Sequence, residues 1–388
     1  MVRVYADGAL IYDPNLDGYE LEGLTATASI DKAGTAELVM PAEHPAYNAF
    51  VGYRTVVEIH RDAELLWRGR AVYPTINFNR SKTITCEGER NFLRDAVIEP
   101  YLYQASPAVI FSDVLGRYNA QVDAFKRFRV GKVTAEDPNG YIRLESEQAE
   151  QISDIIDKLV ERVGGFITFS SDSAGNRLIN WLGSLDEECS QVIEFGENLL
   201  DYTEDGANTE LATVIYPYGA KDDTTGEVLG IEAVNAGKPY IMDEEAVTLR
   251  GWIAQPVTWD DVTIASNLLR KAKQYLTTSK LFVTTVELSA VDLSLLGGDI
   301  EPLSVGCNVR VRSAPHGVDD VFLLRERSYD LLNPAGDTVV LGADRATLTG
   351  ASVGGDKNTI TQLRRSEQAT KIDYTISITD AVARTANK

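Results

Sequence analysis

Cysteine, histidine, positive charge and long apolar runs are all scarce in this chain, and each scarcity removes a class of function. The three cysteines, Cys86, Cys189 and Cys307, are odd in number and far apart in 388 residues. That spacing argues against a disulfide framework or a cysteine-only metal site, and the expectation is buried free thiols. The histidines are also three, His44, His60 and His316. His44 precedes Pro45, His316 falls in a predicted hairpin turn, and no cysteine or serine motif accompanies any of them, so a Cys/His or Ser/His nucleophile has little support. Lysine and arginine number 37 against 58 acidic residues, a formal net charge of −21. Such a surface repels a duplex that itself carries one negative charge per about 1.7 Å of axis, which excludes a sequence-specific nucleic-acid reader. The basic residues are dispersed, with Arg364-Arg365 and Lys126-Arg127 as tight pairs and no stripe for phosphate tracking. No apolar run approaches the roughly 18 residues of a membrane span. The start, Met1-Val2-Arg3-Val4-Tyr5-Ala6-Asp7, has no signal-peptide core, and the chain is expected to be made and kept in a cytoplasm.

What is present is strand. To about Pro100 the chain runs in short β-like segments, among them Ala26–Ile30, Ala36–Met40 and Lys82–Cys86. Gly52 opens a run with Thr55, Val57 and Ile59 at alternating positions; Arg61 and Asp62 make a turn, and a second run passes from Leu65 through Trp67 to Val72. A shortened echo follows Gly306: Val309 and Val311 alternate, Pro315–Asp320 supplies the turn, and Val321–Arg325 the second strand. Period-2 runs divided by Gly, Pro and Asp are the signature of a hairpin.

Between the two lie helices. Ser106-Pro107 reads as an N-cap with proline in the first turn, and Ile110, Val114, Leu115 and Tyr118 keep one face apolar. A second helix is predicted over Glu147–Val163, with Ile152, Ile155, Ile156, Leu159, Val160 and Val163 at the 3.6 period and Gly164-Gly165 to end it. Phe166–Phe169 and Arg177–Leu182 read as a hairpin, and a third helix is predicted from a capping box at Thr258-Trp259-Asp260-Asp261. The predicted class is α+β, mainly β, with two antiparallel β-barrels, an α+β domain and an inserted domain. The divisions are 1–100 for the first barrel, 101–200 for the α+β domain, 201–220 with 281–348 for the second barrel and 221–280 for the insertion. Residues 349–388 read as a linker, Gly350–Gly355, and a connector whose periodicity fits both helix and strand.

Few residues qualify for chemistry. Asp13–Gly18 matches the first half of a calcium loop, but Leu24 stands where the bidentate carboxylate belongs. Gly350–Lys357 suggests a phosphate loop until Asp356, which would repel phosphate. The acidic pairs Glu187-Glu188, Asp222-Asp223, Asp260-Asp261 and Asp319-Asp320 could serve glycoside hydrolysis only if they faced one another across a cleft, and sequence neighbours point apart. No catalytic, cofactor or metal residue is assigned.

His44-Pro45, Trp67–Val72, Cys86-Glu87-Gly88, Glu194–Leu200, Ala212–Lys221 and Ala290–Leu293 together resemble the tail-tip or baseplate hub of long-tailed bacteriophages, the prophage endopeptidase tail family, over residues 3 to 348. The resemblance implies a homotrimer, each chain giving two barrels of the tail-tube type to a pseudo-sixfold ring. It implies a tail-tube protein above, a fibre, spike or receptor-binding component below, and an acidic channel passing the tape-measure protein and DNA. It also implies a virion protein assembled in the bacterial host cytoplasm. Many relatives continue into a hydrolase, a stalk or a sugar-binding module where this sequence stops at Lys388, so an enzymatic role is not expected. Two other readings stand beside it: a tail-associated cell-wall hydrolase, and the hub of a tailocin or contractile injection particle.

Overall fold

The computed structural model describes residues 1–342 apart from 31, 63, 206–211, 223–224, 280–284, 297–299 and 334–335. The expected linker and connector lie outside the described residues.

Alternation of small or aliphatic residues with polar ones builds a sheet of thirteen strands. Numbered along the chain, the first seven are β1 (Val2–Ala6), β2 (Ala9–Tyr12), β3 (Gly23–Ser29), β4 (Thr35–Met40), β5 (Val56–Arg61), β6 (Glu64–Ile76) and β7 (Lys82–Gly88). The other six are β8 (Glu188–Glu194), β9 (Leu199–Asp205), β10 (Thr285–Ala290), β11 (Asn308–Ser313), β12 (Val318–Asp330) and β13 (Thr338–Gly342). Along β4, Ala36, Leu38 and Met40 are buried while Thr35 and Glu37 face water, the period-2 pattern of a strand covered on one face. The spatial order is β9-β10-β13-β12-β3-β4-β7-β6-β5-β1-β2, with β11 lying between β8 and β12.

The chain is mainly β, as the sequence indicated, but its barrels need correction: among the described residues the thirteen strands form one sheet whose hydrogen-bonded order does not close on itself. The cause is the length of β12. Its first six residues pair with β11 as the expected hairpin. Its last five, Glu326–Asp330, run past β11 and pair antiparallel with Ser29–Thr25 of β3. Two halves that read as separate barrels are thus stitched edge to edge. Each half keeps its own core. Val4, Leu38, Met40, Val57, Ile59 and Ile84 lead the first, and Ile193, Leu288, Val309, Val311, Leu324 and Leu341 the second.

Helices α1 (Pro107–Gln121) and α2 (Ile152–Val163) pack their apolar faces with Phe92, Phe128 and Trp181 into a third core. It covers a small sheet in which Arg177–Leu182 pairs parallel to Arg129–Val133 and antiparallel to Phe166–Ser171. The expected cap at Ser106 and Pro107 is where α1 begins. α2 starts later than predicted because Glu150-Gln151 pairs with Val97-Ile98. There Glu150 accepts hydrogen bonds from the Tyr101 and Ser146 hydroxyls.

Farther on, α4 (Ala265–Ser279) packs on a three-stranded sheet centred on Val214–Tyr218, and the short α3 (Glu244–Arg250) lies in the connection between two of its strands. α4 also starts later than predicted. Thr258 closes the strand Ala254–Thr258, which runs parallel to Val214–Tyr218, and the Trp259 N–H donates to the Tyr218 carbonyl. The supposed capping box is therefore a strand exit.

Candidate functional site: the sheet junction and its open edges

The three histidines, Asp13, Asp261 and Asp319 are each engaged, while Asp223 and the Gly350–Lys357 segment lie outside the described residues. His44 is buried, its ring nitrogens within hydrogen-bond distance of the Ile11 carbonyl and the Ala46 N–H, and burial lowers its pKa. His60 lies 3.3 Å from Glu58. The structure does place a serine beside a histidine, which the sequence did not suggest: Ser313 Oγ is 2.6 Å from His316 Nδ1. The pair closes the β11–β12 turn, and Ser313 has no exposed surface, so no substrate reaches its oxygen. Asp13 is held by Arg3 at 2.7 Å and by the Asn15 N–H, which makes its loop an Asx turn. Among the acidic pairs, Asp261 binds Arg162 at 2.9 Å and Asp319 binds Arg310 at 2.8 Å. A small cleft lined by Asp137, Asn139, Tyr141, Asp261 and Lys271 has Lys271 turned to Asp137 at 3.4 Å. Among the described residues no group of three or more His, Cys, Asp or Glu side chains is disposed to hold a metal.

The cysteines correct another expectation. Cys86 is a buried free thiol whose pKa desolvation pushes up to about 12. Cys189 and Cys307 instead form a disulfide with Cα atoms 5.5 Å apart, across 118 residues. The parallel pairing of β8 with β11 brings them together, and no linear spacing announces a parallel pair.

Polar chemistry concentrates where the halves join. Arg327, on the part of β12 that overlies β3, is 1% exposed. Its guanidinium donates to Asp292 at 2.7 Å, to Asp337 at 2.8 Å and to the Leu303 carbonyl at 2.6 Å. Burial pulls its pKa down, but Tyr329, Asp292 and Asp337 outweigh that and hold it above the ordinary value. Asp292 is in turn bound by the Gln191 amide at 2.7 Å and the Ser294 N–H at 3.0 Å. A fully buried charge is tolerated only when paired and hydrogen-bonded in this way. A second cluster lies in the first half: Arg70, 3% exposed, binds Glu87 at 2.7 Å and also Asp95. Nearby, burial raises the Glu89 carboxyl to about 7 against the attraction of Arg68 and Arg177. Charged residues in a strand read as solvent-facing, so neither cluster was visible in the sequence.

The open edges carry a different surface. Tyr73, Ile76 and Phe78, at and beyond the end of β6, are 69% exposed, 56% exposed and fully exposed. Leu200 on β9 is 58% exposed. Exposed apolar side chains beside an unpaired strand edge mark an interaction site more often than a solvated face.

Residues 187–351, from β8 past the end of β13, match the family model described as Prophage endopeptidase tail. The resemblance to a phage tail protein therefore holds. Solved structures extend it to the fold of nearly the whole chain. The 43 kDa tail protein of prophage MuSo2 from Shewanella oneidensis superposes at a TM-score of 0.60 and 15% identity, covering 89% of this chain and 98% of that one. Prophage tail protein gp18 from Listeria monocytogenes EGD-e gives 0.60 at 13%, over 95% and 99%. The tail protein from Neisseria meningitidis MC58 gives 0.60 at 13%, over 89% and 97%. At such identities the likeness is one of fold. No curated protein matches the chain in sequence. None of the described helices is long and apolar enough to cross a membrane.

Proposed function

We propose that this chain is a structural tail-tip hub of the virion. In this reading three copies form a pseudo-sixfold ring that continues the tail tube, with a tail-tube protein above and a fibre, spike or receptor-binding component below. The α+β region (101–200) and the insertion (221–280) decorate the ring, the two β regions (1–100; 201–220 with 281–348) build it, and residues 349–388 connect it onward. The acidic balance, −21 overall, suits a channel through which tape-measure protein and DNA slide without sticking.

One observation carries this reading: the two halves of the large sheet share a strand order. The first runs β3-β4-β7-β6-β5-β1 and the second β9-β10-β13-β12-β11-β8, so strands of matching rank along the chain occupy matching places. All the matching pairings are antiparallel except the last, where β8 runs parallel to β11 and β1 antiparallel to β5. A chain with two similar halves offers six similar units in a trimer. The serine of the Ser313–His316 pair has no exposed surface, which supports the structural reading over a serine endopeptidase built on that pair.

Light scattering with negative-stain electron microscopy of the purified chain tests the proposal. Threefold rings with six lobes around a channel are the expected result. Monomers at every concentration, including in the presence of tail tubes, would overturn it. Clearing of purified cell walls by the chain, abolished by acidic substitutions, would replace it with the hydrolase.

A further inference from the structure

The internal duplication assigns which edges meet between copies. β6 and β12 are counterparts in detail. Each has thirteen residues, each follows a strand of six residues in a hairpin, and each is bulged once against the strand that follows it, after Ala71 in β6 and after Leu324 in β12; β6 carries a further irregularity against β5 that β12 does not repeat against β11. Even the flanking bonds repeat: Ala71 N–H donates to Thr55 O and its carbonyl accepts from Tyr53, while Leu324 N–H donates to Cys307 O and its carbonyl accepts from Gly306. Setting Ala71 against Leu324 places Pro74 with Arg327, Ile76 with Tyr329 and Phe78 with Leu331. β4 and β10 align as Thr-Ala-Glu-Leu (35–38) and Thr-Val-Glu-Leu (285–288). Through their partners, Thr25 and Thr27 of β3 correspond to Thr203 and Asp205 of β9.

In the second half these positions do a specific task. Beyond its bulge β12 lies on β3, and Tyr329 and Leu331, 6% and 5% exposed, leave their own half to join the core of the first. On the side away from β7 their counterparts Ile76 and Phe78 have no strand neighbour among the described residues, and they stand 56% and fully exposed. The counterpart of β3 is equally unfinished: β9 ends the sheet, with β10 as its one strand partner among the described residues. The Asn77 N–H bonds Ser81 O across the β6–β7 hairpin, so by the alternation of an antiparallel ladder Ile76 directs its own N–H and C=O to the open side.

We infer that, in the ring of the proposed function on which this rests, β6 beyond its bulge lies antiparallel on β9 of the next copy. Thr75 faces Asp205, Ile76 faces Glu204 and Asn77 faces Thr203, and Ile76 and Phe78 enter the second core of that copy. The contact joins unlike edges, so it closes only as a ring. It repeats between chains the junction that β12 and β3 make within each, giving six similar junctions from three chains. Pro74 lacks the N–H that Arg327 has, so the junction between copies makes one ladder bond fewer than the junction within.

Paired cysteines test the register. Asp330 and Thr25, the counterparts of Asn77 and Thr203, are a non-hydrogen-bonded pair, the closer of the two antiparallel spacings and one a disulfide can span. Asn77→Cys with Thr203→Cys in the full chain, mildly oxidised, should give a covalent ladder ending at three chains on a non-reducing gel, whereas either single variant should not. Ile76→Pro deletes a donor that β7 does not use, so the variant should keep the far-UV circular dichroism of the wild type and a cooperative unfolding transition, and lose the threefold mass. Threefold rings with no ladder, or Ile76→Pro rings of unchanged mass, would overturn the edge assignment and leave the hub standing. A wild-type chain that stays monomeric even on tail tubes would overturn both.

Discussion

The two halves of the large sheet repeat one strand order yet are secured by different means. The first relies on an extensive apolar core, Leu38, Met40, Val57, Ile59 and Ile84 among its members, and leaves its thiol Cys86 free. The second has a smaller core, adds a disulfide between β8 and the start of β11, and sets its buried arginine between two aspartates where β12 leaves its own half, whereas Arg70 of the first half binds Glu87 and Asp95 short of the matching place. At the matching place in the first half stands the exposed Pro74. The contrast teaches that duplicated topology does not require duplicated energetics. The half that must hold a partner strand within the chain has the polar lock, and the half whose counterpart edge is open has exposed apolar residues.

Removing Arg327 should break the comparison most severely. Arg327→Met leaves Asp292 and Asp337 buried without their cation, at a cost of about 3–5 kcal/mol in urea unfolding. Changing Asp292 and Asp337 to Asn in the same chain should recover a large part of that loss. Next in size is the disulfide: Cys189→Ser with Cys307→Ser should cost about 2–4 kcal/mol, because it frees a loop of 118 residues in the unfolded chain. A reducing agent added to the wild type should reproduce the effect, and Cys86→Ser should not show it.

The first half should reveal itself through pH. Glu89 titrates at 4.5 when unperturbed and at about 7 when folded, so the native state holds an extra proton between those values. The stability this contributes is fully present below about 4.5 and is lost as pH rises through about 7. Glu89→Gln should flatten that slope, gaining about 1–3 kcal/mol on the wild type between pH 5 and 8 in thermal unfolding. The smallest effect belongs to the Thr27–Ser328 hydroxyl pair, 3.3 Å apart across the β3–β12 seam. Ser328→Ala should cost less than about 1 kcal/mol, which would show that the seam is held by Arg327 and the apolar residues.

Local patterns were legible in the sequence and distant pairings were not. The Gly52–Val72 and Gly306–Arg325 hairpins stood out because alternation and turn residues are local. So did the apolar faces of α1 and α2 and the Phe166–Leu182 hairpin. The seam between Glu326–Asp330 and Thr25–Ser29 joins residues about 300 positions apart, and nothing in either segment names the other. The same blindness turned the Cys189–Cys307 bridge into an expectation of free thiols. The start of α4 was misplaced because a capping pattern cannot announce that Thr258 is still paired to a parallel neighbour. The echo itself was fuller than its hairpins: Thr35–Leu38 and Thr285–Leu288 repeat it in a segment where four residues alone carry too little pattern to be noticed.

The disulfide also divides the chain mechanically. Tension applied between the two ends of the polypeptide passes from Cys189 directly to Cys307 and bypasses everything between them, including β9, β10, α3 and α4. A chain pulled to full extension with the bond intact stops short by the contour of that loop, roughly 400 Å at about 3.4 Å per residue. The strand edge that β9 presents therefore sits inside a covalent loop that carries no load along the chain.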